Sequence, residues 1–206
     1  MIHDVMLRWV VTGLFALTAA ECVVPIVIRR QRWTVVVSHG LHIAMSVAMA
    51  AMAWPWSTQL PATAAVVFFL LATTWYIAMA VIAARTTAGR MLYAYHGLMM
   101  LATAWMYASM DGPLLPVRSS TTPVTTMPDM DMAGATMATS GGSPAWFGAV
   151  NWLGTATFAI AAIFWTCRCV IERRHHPARL RSLGNVGQAM MASGMAILFL
   201  ATLFRI

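Results

Sequence analysis

Six long apolar runs, separated by short polar stretches, make up most of the chain: Val5–Ile28, Trp33–Trp54, Pro61–Ala84, Met91–Met110, Trp146–Val170 and Val186–Phe204. Each is close to the roughly 20 residues an α-helix needs to cross about 30 Å of hydrocarbon. Lipid offers no water to backbone N–H and C=O groups, so they must pair within each segment, which predicts helices and not open strands. The expected fold class is all-α: a polytopic membrane bundle of about six transmembrane helices. No polar segment is long enough to bury a core of its own, so residues 1–206 read as one membrane domain. The stretch 111–145 differs in kind, with Pro, Ser, Thr, Gly and Met and almost no aliphatic bulk. Such a segment cannot pack a core and reads as a flexible external loop.

Composition supports the pattern. Hydrophobic residues make up 60% of the chain and charged residues 9%, too few to clothe a water-soluble domain. All the basic residues are arginine, which suggests a GC-rich bacterial coding sequence. Their placement speaks to topology, not to nucleic acid. Arg29, Arg30 and Arg32 lie between the first two runs and Arg85 and Arg90 between the third and fourth; Arg173, Arg174, Arg179 and Arg181 follow the fifth, with Arg168 at its end. The positive-inside rule puts these three connections in the cytoplasm and both termini outside, as expected of a multi-pass protein of the bacterial plasma membrane. Ala16–Ala20 resembles a signal-peptide cleavage region, but the apolar run continues through Ile28, and cleavage would leave Arg29–Arg32 outside; an uncleaved helix is expected. Trp54, Trp56, Trp105 and Trp146 fall near outer span ends, as an interfacial belt would.

The ionisable residues inside the runs bring in chemistry. Glu21 is the only acidic residue within a span; His39, His42 and His96 lie in the second and fourth. Counting at 1.5 Å per residue puts all four roughly 8–13 Å from the cytoplasmic boundary. An intramembrane carboxylate is costly and points to function. Three imidazoles and a carboxylate are the donor set of a transition-metal site, for copper or zinc. Methionines continue the pattern. His39, His42, Met45, Met49 and Met52 form one helical stripe, and His96, Met99, Thr103, Met106 and Met110 form another. Thioethers favour soft Cu(I) and need no deprotonation. The external loop adds Met127, Met130, Met132 and Met137, with Asp129 and Asp131 among them. Together these residues outline capture of a metal ion by the loop, a path along the Met45/Met49/Met52 and Met99/Met106/Met110 stripes, and a terminal site at Glu21, His39, His42 and His96. The partners so implied are the lipid bilayer, the ion and a metallochaperone.

Other residues carry less. Cys22, Cys167 and Cys169 lie near cytoplasmic helix ends and read as packing residues. His175 and His176 belong to a basic cytoplasmic loop, His3 is terminal, Tyr93 and Tyr95 flank His96, and Asn151 and Gln188 suit helix–helix hydrogen bonds. The same histidines are compatible with a haem b protein, in which His39 or His42 faces His96 across the iron. They also suit a metal-dependent intramembrane hydrolase with Glu21 activating water. A non-catalytic scaffold or assembly subunit is the remaining reading.

The segment Met127–Met137 resembles the Met-rich segments of periplasmic bacterial copper-handling proteins. The six-helix pattern with Glu21, His39-x-x-His42 and His96 looks like an uncharacterised integral membrane family of high-GC Gram-positive bacteria, a resemblance that implies a fold but no activity.

Overall fold

The computed structural model describes residues 5–28, 33–55, 62–110, 145–175 and 181–204. They form six α-helices: α1 (Val5–Ile28), α2 (Trp33–Met52), α3 (Ala62–Ile82), α4 (Thr87–Met110), α5 (Ala145–His175) and α6 (Arg181–Phe204). All but α4 are long and apolar enough to cross a membrane. The architecture is the expected polytopic helical bundle. The Met-rich segment from Met127 to Met137 lies outside the described residues, as do His3, Trp56 and His176.

Three helix boundaries extend beyond the apolar runs by four residues or more. α4 starts four residues early because Thr86 caps it: the Gly89 N–H donates to the Thr86 hydroxyl at 3.1 Å, satisfying a first-turn donor. α5 runs on to His175, which is therefore the end of a helix, and α6 begins at Arg181. A helix satisfies its own backbone and need not stop where hydrocarbon does.

The helices pair as three hairpins, α1 with α2, α3 with α4 and α5 with α6, and α1 also packs along α6. Side-chain contacts fix the register. At the end where α1 and α5 begin and α2 and α4 finish, Trp9 meets Trp54 edge-on at 5.3 Å and Trp105 meets Trp146 at 5.7 Å. The Trp105 indole also donates to Asn151 at 3.0 Å, and the Tyr107 hydroxyl donates to the Ala48 carbonyl at 3.1 Å. At the other end, which carries the arginine-rich connections, Tyr95 lies against Trp165. The helices therefore alternate in direction, and α2, α4 and α6 all run from the arginine end to the tryptophan end.

α4 is wrapped on most sides; His96, Met99, Met100, Thr103, Met106 and Tyr107 are all buried. Gly97 faces α3, where a Cβ would meet that of Tyr76 at 3.5 Å, an ordinary van der Waals contact. Small residues play this part in membranes, where packing replaces hydrophobic drive between helices. On α6, Gly194 admits the buried Phe15 ring of α1, whose tip would lie 2.7 Å from an added Cβ.

Candidate polar and methionine site in the bundle core

The arginine-end half of the core contains a set of polar side chains drawn from five helices. α2 supplies Ser38 and His42, α3 supplies Tyr76, α4 supplies His96, α6 supplies Gln188 and α1 supplies Glu21. The two imidazoles are in contact, ring centroids 4.5 Å apart and planes nearly perpendicular.

The hydrogen bonds decide what each ring offers. His42 Nδ1 lies 2.7 Å from the Ser38 carbonyl oxygen. A carbonyl only accepts, so Nδ1 carries the proton and Nε2 presents a lone pair. The Tyr76 hydroxyl reinforces this, 3.0 Å from His42 Nδ1, donating to the Ser38 carbonyl at 3.2 Å and lying 3.0 Å from Ser38 Oγ. His42 Nε2 is buried and meets no hydrogen-bond partner. On the neighbouring helix, Gln188 Nε2 stands 2.9 Å from His96 Nε2. With the amide in this orientation its N–H donates, so His96 Nε2 accepts and Gln188 Oε1 is left buried and unpaired.

Glu21 approaches from α1. Its Oε2 presses on α6 at Gly187, where a Cβ would collide with it, yet no donor meets that oxygen in hydrogen-bond geometry. Three buried acceptor atoms from three helices, Glu21 Oε2, His42 Nε2 and Gln188 Oε1, therefore lack donors. Buried polar atoms are nearly always paired, so each unpaired acceptor calls for a hydrogen donor or a cation, His42 Nε2 above all because its ring is in contact with His96. The buried hydroxyls of Thr18, Thr73 and Thr103 raise no such demand, because each donates to the carbonyl four residues back in its own helix.

The sequence-predicted residues divide accordingly. His42 and His96 come together, and Glu21 reaches the same level through Gly187 and Gln188. His39 lies one turn nearer the arginine end, half-buried, and takes no part in the hydrogen-bonded set. Among the described residues, no three His, Cys, Asp or Glu side chains are grouped to hold one ion, so the three-histidine, one-carboxylate tetrahedron is not formed. The haem arrangement meets a steric obstacle too, since rings in edge-to-face contact leave no slot for a porphyrin. Of the stripe methionines, Met45, Met49, Met52, Met99 and Met106 are buried, whereas Met110 is exposed at the end of α4. Cys169 is buried, Cys22 half-buried and Cys167 exposed, so the packing role fits Cys169 best. Tyr76 and Ser38 escaped sequence reasoning because nothing marks one tyrosine or serine in an apolar run as a partner of a histidine on another helix. Gln188 was legible as a helix–helix donor, but its histidine partner was not.

Residues 34–202 match the family described as a domain of unknown function, DUF5134. The chain belongs to this family. The DUF5134 match takes in α2 to α6 and hence every residue of the polar set except Glu21 on α1. Similar over the full length, α1 included, are the uncharacterised proteins Rv0970 of Mycobacterium tuberculosis (strain ATCC 25618 / H37Rv) and Mb0995 of Mycobacterium bovis. Each is 61% identical over 208 residues, covering 99% of both chains. The names of these DUF5134 relatives assign no activity, in keeping with the uncharacterised family that the six-helix pattern suggested. No solved structure matches the chain.

Proposed function

We propose that this DUF5134 protein binds a transition-metal cation, Cu(I) before Zn(II), within the membrane, and serves copper transport, tolerance or delivery at the bacterial plasma membrane. The observation that carries the reading is the lone pair of His42 Nε2, buried, without a donor and fixed in place by Nδ1–H bonding to the Ser38 carbonyl. A backbone carbonyl on the far nitrogen is how protein sites orient a metal-binding imidazole and raise its basicity. The unpaired Gln188 Oε1, on the residue bonded to the neighbouring His96, is a second acceptor in the same half of the core. The adjoining methionines favour the soft monovalent ion over zinc. On this reading Met127, Met130, Met132 and Met137 gather the ion outside, both termini face out, and a cytoplasmic metallochaperone exchanges with the arginine end.

The test is a competition titration of purified protein with Cu(I) and a chromogenic chelator. His42→Ala is expected to weaken binding at least tenfold, and Tyr76→Phe, which loosens only the support of His42, by a smaller factor within the roughly 10–100-fold range of such supporting partners. Equal metal content in wild type and His42→Ala would sink the assignment.

A further inference from the structure

We infer that Met45, Met99 and Met191 form a second, all-sulfur cation site, one helical turn from His42 and His96 toward the tryptophan end. This rests on the metal reading above and adds α6, whose methionines the sequence stripes left out.

The placement follows from three residues already in contact. His42 touches His96, and His96 is hydrogen-bonded to Gln188. These three anchors stand on α2, α4 and α6, which run in parallel. Three residues further along each helix, about 4.5 Å up the axis and on the same face, come Met45, Met99 and Met191. All three are fully buried. Seven residues beyond the anchors the positions are Met49, Thr103 and Met195, again fully buried. The Thr103 hydroxyl is committed to the Met99 carbonyl at 2.9 Å, so sulfur is the free donor at that level as well.

Packing alone does not account for this choice of residue. Among the described residues eight methionines are buried, against one leucine, Leu198, one valine, Val11, and no isoleucine. The lipid-facing surface uses Val, Leu and Ile freely, as at Val67, Leu71, Ile77, Leu153, Ile160 and Ile163. Methionine is thus the favoured aliphatic residue where helices face one another, while Met6, Met91 and Met110 are the exposed ones. Three neutral thioethers make a three-coordinate set for a soft monovalent ion, Cu(I) or Ag(I), and a poor one for Zn(II) or Mg(II). With no anionic ligand at that layer the ion is held loosely, which suits passage between the exterior and His42.

The experiment uses full-length protein in detergent, with Met127, Met130, Met132 and Met137 replaced by leucine so that sulfur scattering comes from the core. Cu(I) is the probe, read by X-ray absorption and by stoichiometry. The expected result is two equivalents bound, with both nitrogen and sulfur in the ligand shell. Met45→Leu/Met99→Leu/Met191→Leu keeps side-chain volume nearly constant and is expected to remove the sulfur shell and one equivalent while nitrogen ligation remains. Met191→Leu alone, the milder change, is expected to weaken that equivalent about tenfold, a typical cost of losing one partner at a metal site. An unchanged sulfur shell in both variants, or no sulfur shell before substitution, overturns the methionine site. Were His42→Ala alone to leave nitrogen ligation unchanged, the failure would instead belong to the His42 assignment.

Discussion

α4 and α5 follow one another in the chain and have opposite surroundings. α4 carries Arg90, Tyr93, Tyr95, His96 and Thr103, and it alone among the six helices falls short of the apolarity of a membrane span. Its second half, from His96 to Tyr107, is nonetheless largely buried, whereas Arg90, Met91 and Leu92 in the first half are exposed. α5 is long and apolar enough to span, and it turns Trp152, Leu153, Ile160, Ile163 and Phe164 outward, keeping Asn151 and Phe158 for the interior. Hydropathy thus reports contact with lipid, not depth in the bundle. The enclosed part of the helix can carry His96 because a neighbour meets it, Gln188 of α6, and Thr103 because its hydroxyl bonds its own helix.

Substitutions can break or sharpen this contrast. The largest effect is expected from Met100→Ala on α4, a loss of about 2–5 kcal/mol from a fully buried side chain. Ile163→Ala on the outer face of α5 is expected to change stability by under about 0.5 kcal/mol. Unfolding by SDS titration from mild detergent measures both, and equal losses would end the distinction. Next comes a contrast inside α5 itself. A Cβ at Gly154 would meet the Phe199 ring at 2.7 Å, and that ring is stacked on Phe158. Gly154→Ala is expected to cost about 1–3 kcal/mol through overpacking. Gly148→Ala has nothing within 4 Å and is expected to gain up to about 1 kcal/mol from helix propensity. Trp105→Phe removes the α4–α5 hydrogen bond to Asn151, at about 0.6 kcal/mol in the same assay. The smallest effect belongs to Arg168→Ala. It opens a solvent-accessible i,i+4 pair with Glu172 at 3.3 Å and is expected to cost about 0.3–0.5 kcal/mol, fading as salt is raised.

The same contrast explains what could be read in advance. The extent of α1 follows directly from its apolar run, and the existence and order of all six helices follow from theirs. The early start of α4 was hidden because Thr86 acts through a cap, a local hydrogen bond that hydropathy does not register. Counting residues from helix ends placed His42, His96 and Glu21 at one level, and the bundle keeps them there. The same counting put His39 on the face of His42, three residues away. Helical spacing carries no information on where neighbouring helices stop covering that face, and at His39 they cover only half of it. Tyr76 and Gln188 belong to the site through contacts 34 and 92 residues away in sequence, beyond what any pattern within one helix can reveal.

The pairing of α3 with α4 bears on how the protein enters the membrane during synthesis. α4, with Arg90 and His96 in its arginine-end half, is poorly suited to leave the translocon alone, since polar residues within a span raise the insertion cost by kcal/mol each. α3 precedes it across a connection of only 83–86 and is apolar enough to partition readily. Tyr76 on α3 packs beside Gly97 and against the His96 ring on α4. Within this hairpin the apolar arm covers the polar one where it matters, since Tyr76 of α3 lies against His96 and shelters the histidine on that side.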